Sequence, residues 1–408
     1  MTNESHNFND NSFSSDSTDD EFQDLLARAI QGETDAQNDV ALRYYEGQGV
    51  TQDPKKAFYW WKKSAELGNA RGQNGLGVCY ISNMGVERDE KQAVYWFTKS
   101  AEQGDAHGQY NLGACFCNGN GVAQDFEKDL YWFTKSAEQG DALGQSSLGL
   151  FYSTDEGIPR DPEKAVYWFI KSAEQGIAEA QYALALFYFS GEGVSRNPEK
   201  GIFWIMRAAD QGFVGAQYVL GLLYLGNEGV KREPKKAISL IMKAAEQGSA
   251  EAQYVLGVCY ENGDGVDQDS VKSVYWLTLA AEQGNDAAQY LLGGCYQYGN
   301  GVEQGEEKAI YWYTLAAEQG LAEAQCLLGF FYFEGFGVER DPEKAVYWIA
   351  KAAEQEFAEA QYVLGVCYEN GDGVDQDEEK SIYWYTLAAE QGYAAAQNAL
   401  ENLKSETD

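Results

Sequence analysis

The chain has 408 residues, 64 of them acidic and 30 basic, for a formal net charge of −34 and a pI near 4.3. A surface this acidic is repelled by nucleic-acid phosphate and by anionic lipid, and no run of Lys or Arg supplies a basic patch, so neither is an expected partner. No window approaches the ~18 apolar residues of a membrane span, so no direct membrane insertion is expected.

Taken in chain order, residues 1–20 are polar and acidic and read as a disordered tail. They lack the basic start and apolar stretch of a secretory signal, which points to a cytoplasmic protein. A polar, Ser/Asn-rich start also suits an effector exported by a non-classical bacterial route. Residues 21–32 read as an N-terminal capping helix: Ala29 and Gly32 keep the register of later helices, but Asp24 stands where those carry Trp.

Length alone suggests two or three domains of ~100–200 residues. Internal repetition replaces that expectation. Gln37 recurs as Gln73, Gln109, Gln145 and onward to Gln397, every 36 residues without insertion or deletion. Ten periods occupy residues 33–392. Each opens with apolar residues at helical spacing, such as Leu76 and Tyr80 after Gln73, which predicts a first helix, A. A Gly-x-Gly-Val loop follows, as in Gly119-Asn120-Gly121-Val122, and its second glycine recurs in every loop from Gly49 to Gly373. That regularity predicts a positive φ. Asp53-Pro54, Asp161-Pro162, Asn197-Pro198 and Asp341-Pro342 then supply an N-cap and a first helical residue. Helix B begins there. Its predicted buried stripe is that of Ala93, Trp96, Phe97, Ser100 and Ala101, and it stops at Glu-Gln-Gly, with Gly104, Gly140 and Gly176 as C′ residues. The glycines inside helix A (Gly77, Gly113, Gly221) would each cost ~1 kcal/mol against Ala, so they predict close approach to a neighbouring helix. Residues 393–404 form a C-terminal capping helix in which Glu401 replaces that glycine, and 405–408 a disordered end. One helix pair cannot bury both its faces, but stacked pairs share a continuous core. The expected fold is an all-α solenoid of ten helix-turn-helix repeats between capping half-repeats, with the chain as a monomer.

Ala252-Gln253, Leu256-Gly257, Tyr260, Gly263-Asp264-Gly265-Val266, Trp276 and Ala281-Glu282-Gln283-Gly284 carry a signature that resembles the Sel-one-like repeat family, relatives of the tetratricopeptide repeats. The resemblance extends over about residues 33–404. It implies a right-handed superhelix with the A helices on the concave face, and an adaptor that holds other proteins together. Three departures stand out. Leu240 replaces Trp; Glu356 replaces the helix-ending Gly, straining a left-handed cap by about 1 kcal/mol; and Asn83, Asp155 and Asn227 replace the first loop Gly. Residues 250–269 and 358–377, three repeats apart, carry the same sequence, as block duplication would leave them.

Chemistry-bearing patterns are sparse. His6 and His107 are the two histidines, one of them in the tail, so no His-centred catalytic or zinc cluster can assemble, and His107 reads as solvated. The glycine loops lack phosphate-binding patterns and lead into acidic helix starts such as Glu306-Glu307 and Glu378-Glu379, which favour the helix dipole. Cys79, Cys115, Cys259, Cys295 and Cys367 share one register, with Cys117 and Cys326 elsewhere. In-register neighbours ~9–10 Å apart are too distant for disulfides, so the cysteines read as reduced apolar fillers. Some secreted relatives bridge their two helices with cysteines, but helix B here has none. No catalytic residue, metal or cofactor is expected.

The position after the marker Gln holds Tyr110, Tyr182, Tyr218, Tyr254, Tyr290 and Tyr362. By analogy with tetratricopeptide arrays it faces a groove, with Glu251, Glu261, Glu323, Glu359 and Glu369 nearby. Tyrosines flanked by carboxylates suit an extended basic peptide; the alternative is that they pack between helices. The leading expectation is a non-enzymatic scaffold for a basic protein or peptide. An acidic inhibitor or immunity protein masking a basic surface is a second reading, and an enzyme acting on a cell-wall-type ligand a third.

Overall fold

The computed structural model describes residues 15–154, 158–226 and 229–407, and side chains between residues 20 and 403. Twenty-two helices and no strand occur among the described residues, in strict A–B alternation. The chain divides into two compact units, 1–208 and 209–408.

Local chemistry sets the helix limits as the sequence predicts. Asp89, Asp125 and Asp341 cap their B helices by accepting the backbone N–H groups of Gln92, Lys128 and Lys344 at 3.0–3.1 Å. The first loop glycine ends helix A in the left-handed region, as Gly119 does at φ 73°. Where Asn83 replaces it, Asn takes φ 56°; Asp155 and Asn227 lie outside the described residues. The second loop glycine has a further role. Gly301 has φ 72°, and a Cβ there would sit 2.2 Å from the Ser270 carbonyl oxygen at the start of the preceding B helix. The loop backbone thus rests directly on the neighbouring repeat. Glu356 carries the expected strain at φ 64°.

Inside each repeat the glycine of helix A meets the B helix of the same repeat: a Cβ at Gly77 would lie 2.6 Å from the Phe97 ring. The residue after the Trp fills the core, as Phe97, Phe169, Leu277 and Tyr385 show, and Ile241 does so after Leu240. Trp96 itself is half-buried rather than buried, because Tyr95 covers one edge of its indole on the outer side. The in-register cysteines are buried beside that core, and burial pushes the thiols of Cys79 and Cys367 up to about 12.

The marker glutamines tie the stack together. Gln253 donates to the carbonyl of Ala245 in the preceding B helix at 3.0 Å and accepts from Gln283 of its own B helix at 2.7 Å. Three successive helices share one buried polar link. The same pair of bonds recurs at Gln109, Gln289 and Gln361. A few buried groups break the pattern of satisfied polar atoms. Asp129 sits where six other repeats have Ala, fully buried, with neither carboxylate oxygen bonded. Burial raises its carboxyl to about 6.

The ends correct the expected boundaries. The N-terminal helix runs Ser15–Ile30, so residues 15–20 are helical rather than disordered. Its Phe22 and Ala29 are buried against the first repeat. The final helix, Ala394–Thr407, includes most of the stretch expected to be disordered. Residues 1–14 and 408 lie outside the described residues.

Candidate functional site

The six tyrosines are half-buried, and five of them pack on core residues of the B helix of their own repeat. In the first unit the Tyr110 ring lies 5.7 Å from Phe133. In the second, Tyr218 lies against the cluster of Ile238 and Ile241, Tyr290 is 5.6 Å from Tyr313, and Tyr362 is 5.6 Å from Tyr385. An open Tyr ladder is therefore not what the structure presents. Tyr182 is half-buried in the first unit in the same register. Tyr110 also lies near Asp141, whose carboxylate accepts from His107 Nδ1 at 2.7 Å. That bond raises the imidazole above its ordinary range, so His107 is a paired residue and not a merely solvated one.

The five glutamates divide by environment. Glu251 is exposed and accepts from the Ser249 hydroxyl at 2.9 Å, serving its own helix start. Glu323 and Glu359 are exposed and close enough to Tyr290 that, after burial, their charge raises its phenol further. Among the described residues none of the five pairs with a Lys or Arg. The lysines that open the B helices are committed elsewhere: Lys272 and Lys344 reach the N-cap carboxylates of Asp269 and Asp341 at 3.1 and 3.2 Å and lie over Tyr260 and Tyr332.

Glu369 and Glu261 occupy the same place in A helices of identical sequence, Ala358–Asn370 and Ala250–Asn262. Tyr385 donates its hydroxyl to Glu369 Oε2 at 2.5 Å, and Tyr313 does the same for Gln297 at 2.8 Å. The matching B-helix residue for Glu261 is Leu277, which has no hydroxyl. Glu261 Oε2 is consequently buried without a hydrogen-bond partner. Beside it the next A helix places Gly294, where other repeats carry Val, Leu, Phe or Ala, and only the Tyr313 hydroxyl would come near a Cβ there, at 3.5 Å. Together Leu277 and Gly294 leave a cavity of about 430 Å³ lined by Tyr254, Val258, Glu261, Leu291 and the exposed Tyr298. Ser273, fully buried at its wall, also has an unbonded Oγ.

The structure thus joins Tyr254 and Glu261 in one site and leaves Tyr290, Glu323 and Glu359 as a separate surface. Sequence reasoning missed Ser273, Leu277, Gly294 and Tyr298; the departure of Gly294 from its register was the available signal. A larger hollow of about 580 Å³ beside Asn83 and Met84 is lined by Asp53 and Lys55 at a helix start and holds no unbonded buried polar atom among the described residues. Among the described residues, no group of three or more His, Cys, Asp or Glu is placed to hold a metal ion, and no helix is long and apolar enough to cross a membrane.

The chain matches the Sel1 repeat in all ten periods, at 34–69, 70–105 and onward in contiguous blocks to 358–393. Among solved structures it is similar to a protective antigen of uropathogenic Escherichia coli displaying an SLR fold, with 37% identity over 92% of this chain and 80% of that one, at a TM-score of 0.76. It is also similar to a Sel1 repeat protein from Oxalobacter formigenes, 34% identical over 76% of this chain and 89% of that one, with a TM-score of 0.58. A likeness to an immunity protein of Pseudomonas aeruginosa, at 21% identity over 52% of this chain and 81% of that one, has a TM-score of 0.35 and bears on nothing here. No curated protein sequence matches the chain. Ten matched repeats, their helix-pair packing and the likeness to two structures above 30% identity agree: the chain belongs to the Sel1 repeat family.

Proposed function

We propose that this protein is a non-enzymatic scaffold whose second unit binds a basic protein or peptide on its A-helix face. Sel1 repeat proteins are generally protein-interaction scaffolds and are typically non-catalytic. The basic character of the partner rests on one observation: Glu323 and Glu359 flank Tyr290 without a Lys or Arg partner, while Lys272 and Lys344 are held on the B helices by N-cap carboxylates. An unneutralised acidic face of this kind attracts a basic partner by long-range charge and fixes its register at short range.

The reading is tested by quantitative affinity capture from the native cell, comparing wild type with the double variant Glu323→Gln, Glu359→Gln. A partner with a basic segment should be enriched by wild type and should lose most of that enrichment with the variant or in raised salt. Equal recovery of the same proteins by both would overturn it. Glutamine keeps the shape and removes the charge, whereas Tyr→Ala changes along the half-buried tyrosines would damage the core.

A further inference from the structure

We propose that the cavity between Tyr254, Glu261, Leu277 and Gly294 is a pocket for one cationic side chain, a Lys or Arg of the bound partner. The proposal deepens the reading of the A-helix face as a surface for basic proteins, and rests on it for the source of that side chain.

The same chain supplies the control. Its two A helices with the sequence Ala-Glu-Ala-Gln-Tyr-Val-Leu-Gly-Val-Cys-Tyr-Glu-Asn differ in what the B helix offers them. At Glu369 the Tyr385 ring fills the space and its hydroxyl satisfies the carboxylate. At Glu261 both are missing, since Leu277 is shorter and apolar, and Gly294 opens the opposite wall. What remains is an acceptor without a donor, Glu261 Oε2. Leaving a buried acceptor unsatisfied costs free energy, more when it is charged, so a donor arriving there recovers a penalty already present in the empty site. The walls specify the donor's chemistry. Val258, Leu277 and Leu291 suit an aliphatic stem, and the faces of Tyr254 and Tyr298 attract a cation. An anion would meet Glu261 directly. A neutral aliphatic side chain would cover the carboxylate without giving it a proton to accept.

The test uses the full chain, ¹⁵N-labelled, titrated with Nα-acetyl-lysine N-methylamide, its arginine counterpart and the uncharged norleucine counterpart. Either cation should shift the amides of Tyr254, Glu261 and Gly294 saturably, with norleucine about tenfold weaker, as loss of a desolvated ionic hydrogen bond predicts. Leu277→Tyr should abolish the response, because its ring and hydroxyl would plug the site as Tyr385 plugs its counterpart. Gly294→Leu, which restores the residue found at Leu150 and Leu186, is a second plug should the first variant not fold. Tyr385→Leu should open a new response at Glu369. The assignment is overturned if neither cation gives a saturable shift, if norleucine matches them, or if a folded plugged variant responds like wild type. Because these probes bypass the partner protein, salt-sensitive partner binding that survives in a chain with no cation response would sink the pocket alone and leave the surface reading standing.

Discussion

Gln103 donates its side-chain N–H to Gln73 Oε1 at 2.7 Å, and Gln73 in turn donates to the Ala65 carbonyl at 3.4 Å, so one side-chain chain crosses three helices. The first repeat lacks half of it. Leu67 stands where Gln103 stands one repeat later, with nearly the same backbone angles, and Gln37 Oε1 is left buried without a partner. Leu67→Gln should therefore stabilise the protein by ~1 kcal/mol, the net worth of a buried hydrogen bond, seen as a higher denaturation midpoint. The mirror change, Gln103→Leu, should lower it by a similar or larger amount.

Asp129 gives a pH signature. Its folded-state value of about 6 lies above the ordinary 3.8, so the folded state holds the proton more tightly than the unfolded chain. The neutral form is favoured on folding, and this group's contribution to stability falls as pH rises from about 4 through 6. Asp129→Ala, matching the Ala found in register at Ala93 and Ala165, should be more stable than wild type by ~2–3 kcal/mol at pH 7. The advantage should shrink as pH falls through 6 toward 4. Chemical denaturation at several pH values measures it, and a pH-independent difference would contradict the account.

Glu356 is a non-glycine residue at φ 64° where the other repeats end their B helix with Gly. Glu356→Gly should raise stability by about 1 kcal/mol by removing left-handed strain, less the entropy that glycine adds to the unfolded chain. A thermal midpoint unchanged or lower would show that the site has relaxed in another way.

The second loop glycine is predicted to be the least tolerant position of the repeat. At Gly301 an alanine combines a positive φ with a Cβ 2.2 Å from the Ser270 carbonyl. Gly301→Ala should cost well over ~1 kcal/mol, since left-handed strain alone accounts for that much. Gly305→Ala, at an N-cap with open space around it, should cost far less.

Features that depend on residues close in the chain were legible in the sequence. The period, helix limits, loop glycines, capping Asp-Pro pairs and the strain at Glu356 all follow from local backbone chemistry. The recurring Gln was visible as a marker, but its role was not, because that role depends on partners 8 residues before it and 30 after it. The tyrosines were recognised by register and misjudged in exposure: Tyr290 and Tyr362 spend a face on Tyr313 and Tyr385, which lie on another helix. Glu261 looked identical to Glu369 for the same reason. Only the residue 16 positions on, Leu277 or Tyr385, separates an unsatisfied carboxylate from a satisfied one.

We propose recruitment of a basic partner by the unneutralised carboxylates of the second unit. Its most direct measurement is the dissociation constant of the captured partner for the purified full chain, across a salt series, with wild type and with Glu323→Gln, Glu359→Gln. Binding by wild type should weaken steadily with salt, and the variant should bind about tenfold more weakly at low salt with a shallower salt dependence. Equal dissociation constants for the two proteins at every salt concentration would contradict the claim.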